Sequence, residues 1–223
     1  MTAPFGDRPA TPVEPCPLCA HRRTAALFRP HGRRYRVCGQ CRLGFVERAD
    51  LPDPASEAAH YQTHQNRPDD PRYQAFLGRL IDPLKVHLAP GMTVLDFGCG
   101  DGSPVGAMLG ELGIRVIEYD PVFRPDRRAL DRRYDAIVSS EVIEHFHAPL
   151  GQFALLDRLL APGGWLGVMT EPLEDEVDFG TWWYARDPTH VAFYKPETFA
   201  WLASRFGWKW HRVGRTVLLF ERR

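Results

Sequence analysis

The sequence lacks a net charge: 28 lysines and arginines stand against 28 acids. The chain as a whole is therefore no electrostatic binder of nucleic acid. It also lacks any apolar run near the roughly 20 residues needed to cross a bilayer. Its opening stretch, MTAPFGDRPATPVEP, has no charged-then-apolar leader pattern. The expectation is a cytoplasmic protein with no membrane partner. Cysteine is scarce, five in 223 residues, and a cytosolic setting argues against pairing those five as disulfides. What remains, 44% hydrophobic residues, suffices for one core of ordinary size and a small appendage.

The charge that is present is unevenly placed. Residues 16–48 hold Arg22, Arg23, Arg29, Arg33, Arg34, Arg36, Arg42 and Arg48 against the single acid Glu47, so the rest of the chain carries about −7. Four of the five cysteines lie in the same segment, as Cys16-x2-Cys19, eighteen residues, Cys38-x2-Cys41. Two tight turns, each giving two thiolates, suit a tetrahedral zinc. Thr24–Phe28 and Tyr35–Val37 read as short strands between the pairs. The expectation is a zinc ribbon over 16–48 with a structural ion, because a segment this small buries too little to fold without metal. Residues 1–15, rich in proline and small residues, read as disordered.

Residues 49–90 read as a helical connector or cap. Leu77, Leu80, Ile81 and Leu84 follow i, i+3, i+4, i+7 spacing, the core face of a helix. His60, Tyr61 and His64 precede it and read either as surface residues or as part of a site.

The stretch that organises the remainder is Val94-Leu-Asp96-Phe-Gly98-Cys99-Gly100-Asp-Gly102-Ser103. An apolar run becomes a glycine turn and then a helix, with Ser103 as expected N-cap and Pro104 at the first helical position. Val105, Met108, Leu109 and Leu112 supply the helix face, and Gly113 its C-cap. The dinucleotide fingerprint is the rival reading. It wants Gly-x-Gly-x-x-Gly, and here the third glycine comes one residue early.

Asp96, Gly98, Gly100 and Gly102 resemble the glycine-rich S-adenosylmethionine (SAM) signature of class I methyltransferases. The resemblance covers residues 90–223 through five features in order. These are the glycine turn, Asp120 at the end of a second strand, Glu141-Val-Ile-Glu144-His145, the Pro162-Gly-Gly turn, and two closing strands at Trp208–Val213 and Val217–Glu221. It implies an α/β fold with a doubly wound, mostly parallel sheet over 91–223. It also implies SAM as cofactor, with Asp96, Gly98, Cys99, Gly100 and Gly102 in the turn, Asp120 on the ribose hydroxyls and Glu141 beside the pocket. Glu141, Glu144 and His145 serve equally well as loop supports. Only thirteen residues separate Asp120 from Tyr134, so the family's third strand is expected to be reduced or missing. Asp126 is the one candidate acid left for adenine.

After the strand Trp165–Thr170 come five acids in residues 171–178, then Trp182-Trp-Tyr-Ala-Arg-Asp187-Pro-Thr-His190. Here His190 is expected as general base, with Asp187 fixing its ring and the aromatics walling an acceptor pocket. The competing reading makes 187–190 a turn and the aromatics core. The function implied is methyl transfer from SAM to a small-molecule acceptor, the five acids repelling phosphates. The alternatives are an RNA methyltransferase docking RNA on the basic zinc ribbon and a non-catalytic interaction protein.

Overall fold

A computed structural model describes residues 14–26, 32–63 and 67–223. Residues 1–13, Phe28 and His64, about which the sequence raised expectations, lie outside the described residues. The ribbon segment forms β1 (Thr24–Ala26), β2 (Tyr35–Cys38) and β3 (Gly44–Val46), paired antiparallel in that order. Two helices follow, α1 (Pro54–Tyr61) and α2 (Pro71–Lys85). Asp53 and Asp70 cap them by accepting backbone N–H bonds, and each has proline at its first position. The expected face of α2 is buried: Leu77, Leu80, Ile81 and Leu84.

Next come β4 (Thr93–Phe97), α3 (Val105–Gly110), β5 (Arg115–Tyr119), β6 (Tyr134–Ser140), α4 (Pro149–Leu159) and β7 (Leu160–Met169). The short strand β8 (Ala192–Phe193), α5 (Pro196–Phe206), β9 (Trp208–Val213) and β10 (Val217–Arg222) complete the chain. The main sheet has the order β5-β4-β6-β7-β10-β9, parallel except for β10, which runs antiparallel to both neighbours. Alternate residues of the central strands feed two cores. Val94 joins α2 and α3 on one face, whereas Leu95 and Phe97 join α4 and α5 on the other. Gly167 in β7 allows α2 to lie against the sheet, since a Cβ there would stand 3.0 Å from Leu80.

Between β5 and β6 the described structure holds a turn and a 3-10 helix, Arg127–Leu130, in place of a third strand. β5 is thus an edge, as the short interval implied. Three local expectations shift. Helix α3 starts at Val105 and ends at Gly110, so Ser103 caps it from one residue further out, its Oγ accepting the Val105 N–H at 3.2 Å. Leu112 lies beyond that helix and is exposed. β7 begins at Leu160 rather than Trp165, with Ala161–Gly164 bulged out of register against β6.

The ribbon does not stand apart. β8 pairs antiparallel with β3, Gly44 opposite Phe193 and Phe45 opposite Ala192, making the small sheet four-stranded. Leu18, Leu43 and Phe45 share one buried cluster with Phe97, Tyr194 and Phe199 of the main domain.

Candidate functional site

The glycine turn leaves the C-terminal end of β4 and is tied across to β5. The N–H groups of Gly98 and Cys99 donate to the Tyr119 carbonyl, at 2.7 and 3.3 Å. Gly98 has φ +80° and Gly100 φ +66°, left-handed conformations that glycine adopts without penalty. The two glycines differ in surroundings. A Cβ on Gly98 would meet Val142 at 2.4 Å, whereas one on Gly100 would enter open space. Asp96 is buried beneath the turn with Oδ2 lacking any partner, and burial pushes its carboxyl up to about 7. A buried acid with one unpartnered oxygen below an open backbone cradle fits a cofactor that brings a cationic amino group and a sulfonium. Tyr73 of α2 leans over this end, and burial, reinforced by Asp96, raises its phenol to about 12.

Asp120 follows β5. Its Oδ2 accepts from Gly100 N at 3.1 Å, and its Oδ1 accepts from the N–H groups of Val122 and Phe123 at 2.8 and 2.9 Å. A carboxylate offers about four lone-pair sites, so one remains, on Oδ2. The expectation that it binds both ribose hydroxyls meets a carboxylate with room for one further donor. Asp126 lies along the open β5 edge, in a groove of about 530 Å³ that also includes Glu118 and Phe123. Its carboxylate is engaged with Arg128 and caps the 127–130 helix, so the adenine role is not supported there.

A second cluster of polar side chains gathers at the ends of β6 and β7. Glu141 has φ +53°, a left-handed strain in a non-glycine residue, and its N–H donates to the Met169 carbonyl at 2.8 Å. Tyr184 Oη donates to Glu141 at 3.2 Å, Thr170 Oγ1 donates to Glu144 at 3.1 Å, and the two hydroxyls are 3.0 Å apart. Both hydroxyl protons are already spent on the carboxylates, so the central contact needs a proton on one acid. Burial, with Glu144 beside it, raises Glu141 to about 8, which places that proton there at neutral pH. Burial likewise raises Glu144, to about 7.

His190 and Asp187 are close but not joined as expected. Asp187 Oδ2 is 3.9 Å from His190 Nε2, beyond hydrogen-bonding reach, and lies 3.2 Å from His60 Nε2 instead. Asp187 Oδ1 takes the N–H and hydroxyl of Thr189. Burial works against the ionised Asp187 carboxyl, but the Thr189 hydroxyl and His190 outweigh it and hold the group below the carboxylate range. The His190 ring is held by the Tyr184 carbonyl, 2.7 Å from Nδ1. Burial, with His145 alongside, pushes His190 down to about 3, so it is neutral at pH 7 and a weak base. The expectation that Asp187 fixes the His190 ring is therefore corrected: the Tyr184 carbonyl fixes it. His60 and Tyr61 do reach the site, Tyr61 standing edge-on to His145 with ring centroids 5.3 Å apart.

Two further expectations change. Tyr184, Phe193 and Tyr194 are buried in core rather than lining a pocket, while Trp183 is 61% exposed. Of the five acids, Glu171 pairs with Arg215, Glu174 with Arg212 and Asp175 with Lys195, so the stretch is largely neutralised.

No sequence signal marked Arg33. Its guanidinium donates to four carbonyls of the 185–190 loop: Ala185, Asp187, Pro188 and His190, at 2.8–3.1 Å. The five donors of a planar fork allow such a grip. Arg34 and Arg36 are also spent internally, on Asp50, Glu47 and Thr24. The basic ribbon thus holds the loop that carries His190.

The four ribbon cysteines place their Sγ atoms within 4.8 Å of one another, with Cys16–Cys41 at 3.5 Å and Cys19–Cys38 at 3.4 Å. Tetrahedral zinc with Zn–S near 2.3 Å sets sulfurs about 3.8 Å apart, so the set fits a structural zinc closed to substrate. Cys99 is not part of it.

Comparison with known proteins agrees with this layout. The chain is 31% identical over 123 residues to a tRNA U34 carboxymethyltransferase of Haemophilus influenzae, covering 44% of this chain and 38% of that protein. It is 32% identical over 120 residues to the same-named protein of Pseudoalteromonas translucida, covering 43% and 37%. The chain thus matches well under half the length of these curated relatives. In fold it resembles 1,6-didemethyltoxoflavin-N1-methyltransferase of Burkholderia thailandensis, solved with bound 1,6-didemethyltoxoflavin and S-adenosylhomocysteine. That likeness has a TM-score of 0.55 at 17% identity, over 88% of this chain and 97% of the other. A sequence profile described as a methyltransferase domain matches residues 59–213, and the chain belongs to that methyltransferase domain family.

Proposed function

We propose that the chain transfers a methyl group from SAM to a small acceptor molecule bound between the ends of β6 and β7. The carrying observation is the shared rim. The open cradle at Gly100 and the half-buried Glu141, which holds the Tyr184 hydroxyl, follow the C-terminal ends of the neighbouring parallel strands β4 and β6, where such sheets place their ligands. The sulfonium of SAM supplies an electrophilic methyl and a thioether leaving group. The protein's part is to orient both partners and to receive a proton where the acceptor carries one. In this reading Gly98–Gly102 and Asp96 hold the methionine end, Asp120 holds a ribose hydroxyl, and Glu141, once it has given up its own proton as pH rises toward about 8, takes the acceptor's proton with the Tyr184 hydroxyl donating to it. A small acceptor is supported by enclosure: Glu144 and His190 are each under 10% exposed.

A second reading, an RNA acceptor, is favoured by the name of the partial relatives and by the exposed Arg22 and Arg23 on the ribbon. Labelled methyl transfer to cell extract, split into RNA and small-molecule fractions, separates the two. Counts in the small-molecule fraction support the first reading, and counts confined to RNA overturn it. With the acceptor in hand, Glu141→Gln should lower turnover by about a hundredfold with SAM affinity unchanged.

A further inference from the structure

Neither the cradle nor the proton path uses the two imidazoles beneath α1. His145 and His190 stand with ring centroids 4.8 Å apart. Each commits Nδ1 to a backbone carbonyl, His145 to Thr189 at 3.0 Å and His190 to Tyr184 at 2.7 Å. A carbonyl only accepts, so both Nδ1 atoms carry the proton and both Nε2 atoms present a lone pair. This is how metal-binding imidazoles are held in proteins, the outer nitrogen fixed so that the inner one can ligate.

A third group converges with them. Glu144 is fully buried; its Oε2 takes the Thr170 hydroxyl, but Oε1 has no partner and lies 4.0 Å from His145 Nε2. One candidate ligand atom from each of Glu144, His145 and His190 falls within 4.8 Å of the other two. With Glu144 ionised, three acceptors gathered with no donor among them are unfavourable in a buried setting. A cation among them removes the conflict.

We propose that Glu144, His145 and His190 bind a divalent transition-metal ion at a second site, separate from the ribbon cysteines. Donors at about 2.1 Å around a tetrahedral ion stand about 3.4 Å apart, so the side chains close inward by roughly an ångström. Two imidazoles and one carboxylate suit Zn²⁺, Co²⁺ or Mn²⁺ better than Ca²⁺ or Mg²⁺, which prefer all-oxygen shells. Asp187, 3.9 Å from His190 Nε2 with its side chain 23% exposed, forms the rim through which the ion enters. Three protein ligands leave a position for water or for an oxygen of the acceptor. That last role rests on the methyl-transfer reading, whereas the metal site itself does not.

The test uses the full chain with its ribbon filled by zinc, then titrated with Co²⁺ in the absence of SAM and acceptor. One additional ion per chain is expected. Its X-ray absorption should show a nitrogen and oxygen shell with two imidazoles and no sulfur. His190→Asn and Glu144→Gln should each weaken Co²⁺ by at least about a hundredfold, beyond the loss typical of outer partners of metal ligands, while one zinc per chain is retained. No second ion on the wild-type protein, a sulfur-containing or imidazole-free shell, or unchanged affinity in the folded variants overturns the proposal. The wild-type absorption spectrum decides the matter even where a variant fails to fold.

Discussion

The cofactor cradle and the acceptor site share one sheet edge but are built by different means. The cradle is local: Asp96, the glycine turn and Asp120 lie within one strand–helix–strand unit, closed by hydrogen bonds from Gly98, Cys99 and Gly100 to Tyr119 and Asp120. The proposed acceptor site is assembled from afar. Arg33 of the ribbon grips carbonyls at 185–190, His60 of α1 meets Asp187, and Glu144 receives the Thr170 hydroxyl. A local unit tolerates damage elsewhere, whereas an assembled one inherits the fate of each contributor.

The severest way to break this contrast is to remove the ribbon's metal. Cys38→Ser should abolish zinc binding and with it the folding energy of the ribbon, roughly 10 kcal/mol or more in small zinc domains. The loop at 185–190 then loses both Arg33 and the β3–β8 pairing. Turnover should fall by about a thousandfold, ten times the roughly hundredfold cost of about 1 Å of misplacement, with SAM affinity by calorimetry within a few fold. Loss of SAM binding in the mutant would mean that the cradle is not independent. A sharper cut is Arg33→Ala, which keeps the zinc. Turnover should drop about a hundredfold, and Arg33→Lys should not restore it, because an ammonium cannot fork to four carbonyls. The smallest effect belongs to the local side. Asp120→Ala removes one charged acceptor, about 1.5–3 kcal/mol, or roughly ten- to a hundredfold in SAM affinity. Its turnover at saturating SAM should match the wild type. Reduced turnover there would show that the two sites are coupled.

The same division explains what the sequence made legible. The glycine turn and the acid ending the next strand could be singled out because both fall within one strand–helix–strand unit, and the short interval after Asp120 already implied a reduced or missing strand. The four cysteines were legible because a metal constrains spacing tightly. Arg33 was invisible: it is one of eight arginines in its segment, and nothing local separates a carbonyl clamp from a solvated charge. His190 was misread for the same reason. Chain proximity suggested Asp187 as the group fixing its ring, whereas the fold turns that carboxylate toward His60 and gives the ring to the Tyr184 carbonyl. The aromatic run 182–184 could not reveal that Tyr184 is core and Trp183 is surface, since both readings have the same composition.

The pairing of β3 with β8 also bears on the order in which the chain folds. Phe45 waits for Ala192, so the small N-terminal sheet keeps an open edge until most of the main domain has been made. Contacts this distant in sequence form late and slow the search for the native state. An uncovered strand of Gly44, Phe45 and Val46, all buried in the finished fold, is the kind of edge that recruits other chains. Early zinc capture by the cysteine turns would hold that edge in register while the rest is synthesised. Metal starvation during expression should accordingly raise the aggregated fraction at the expense of the soluble yield.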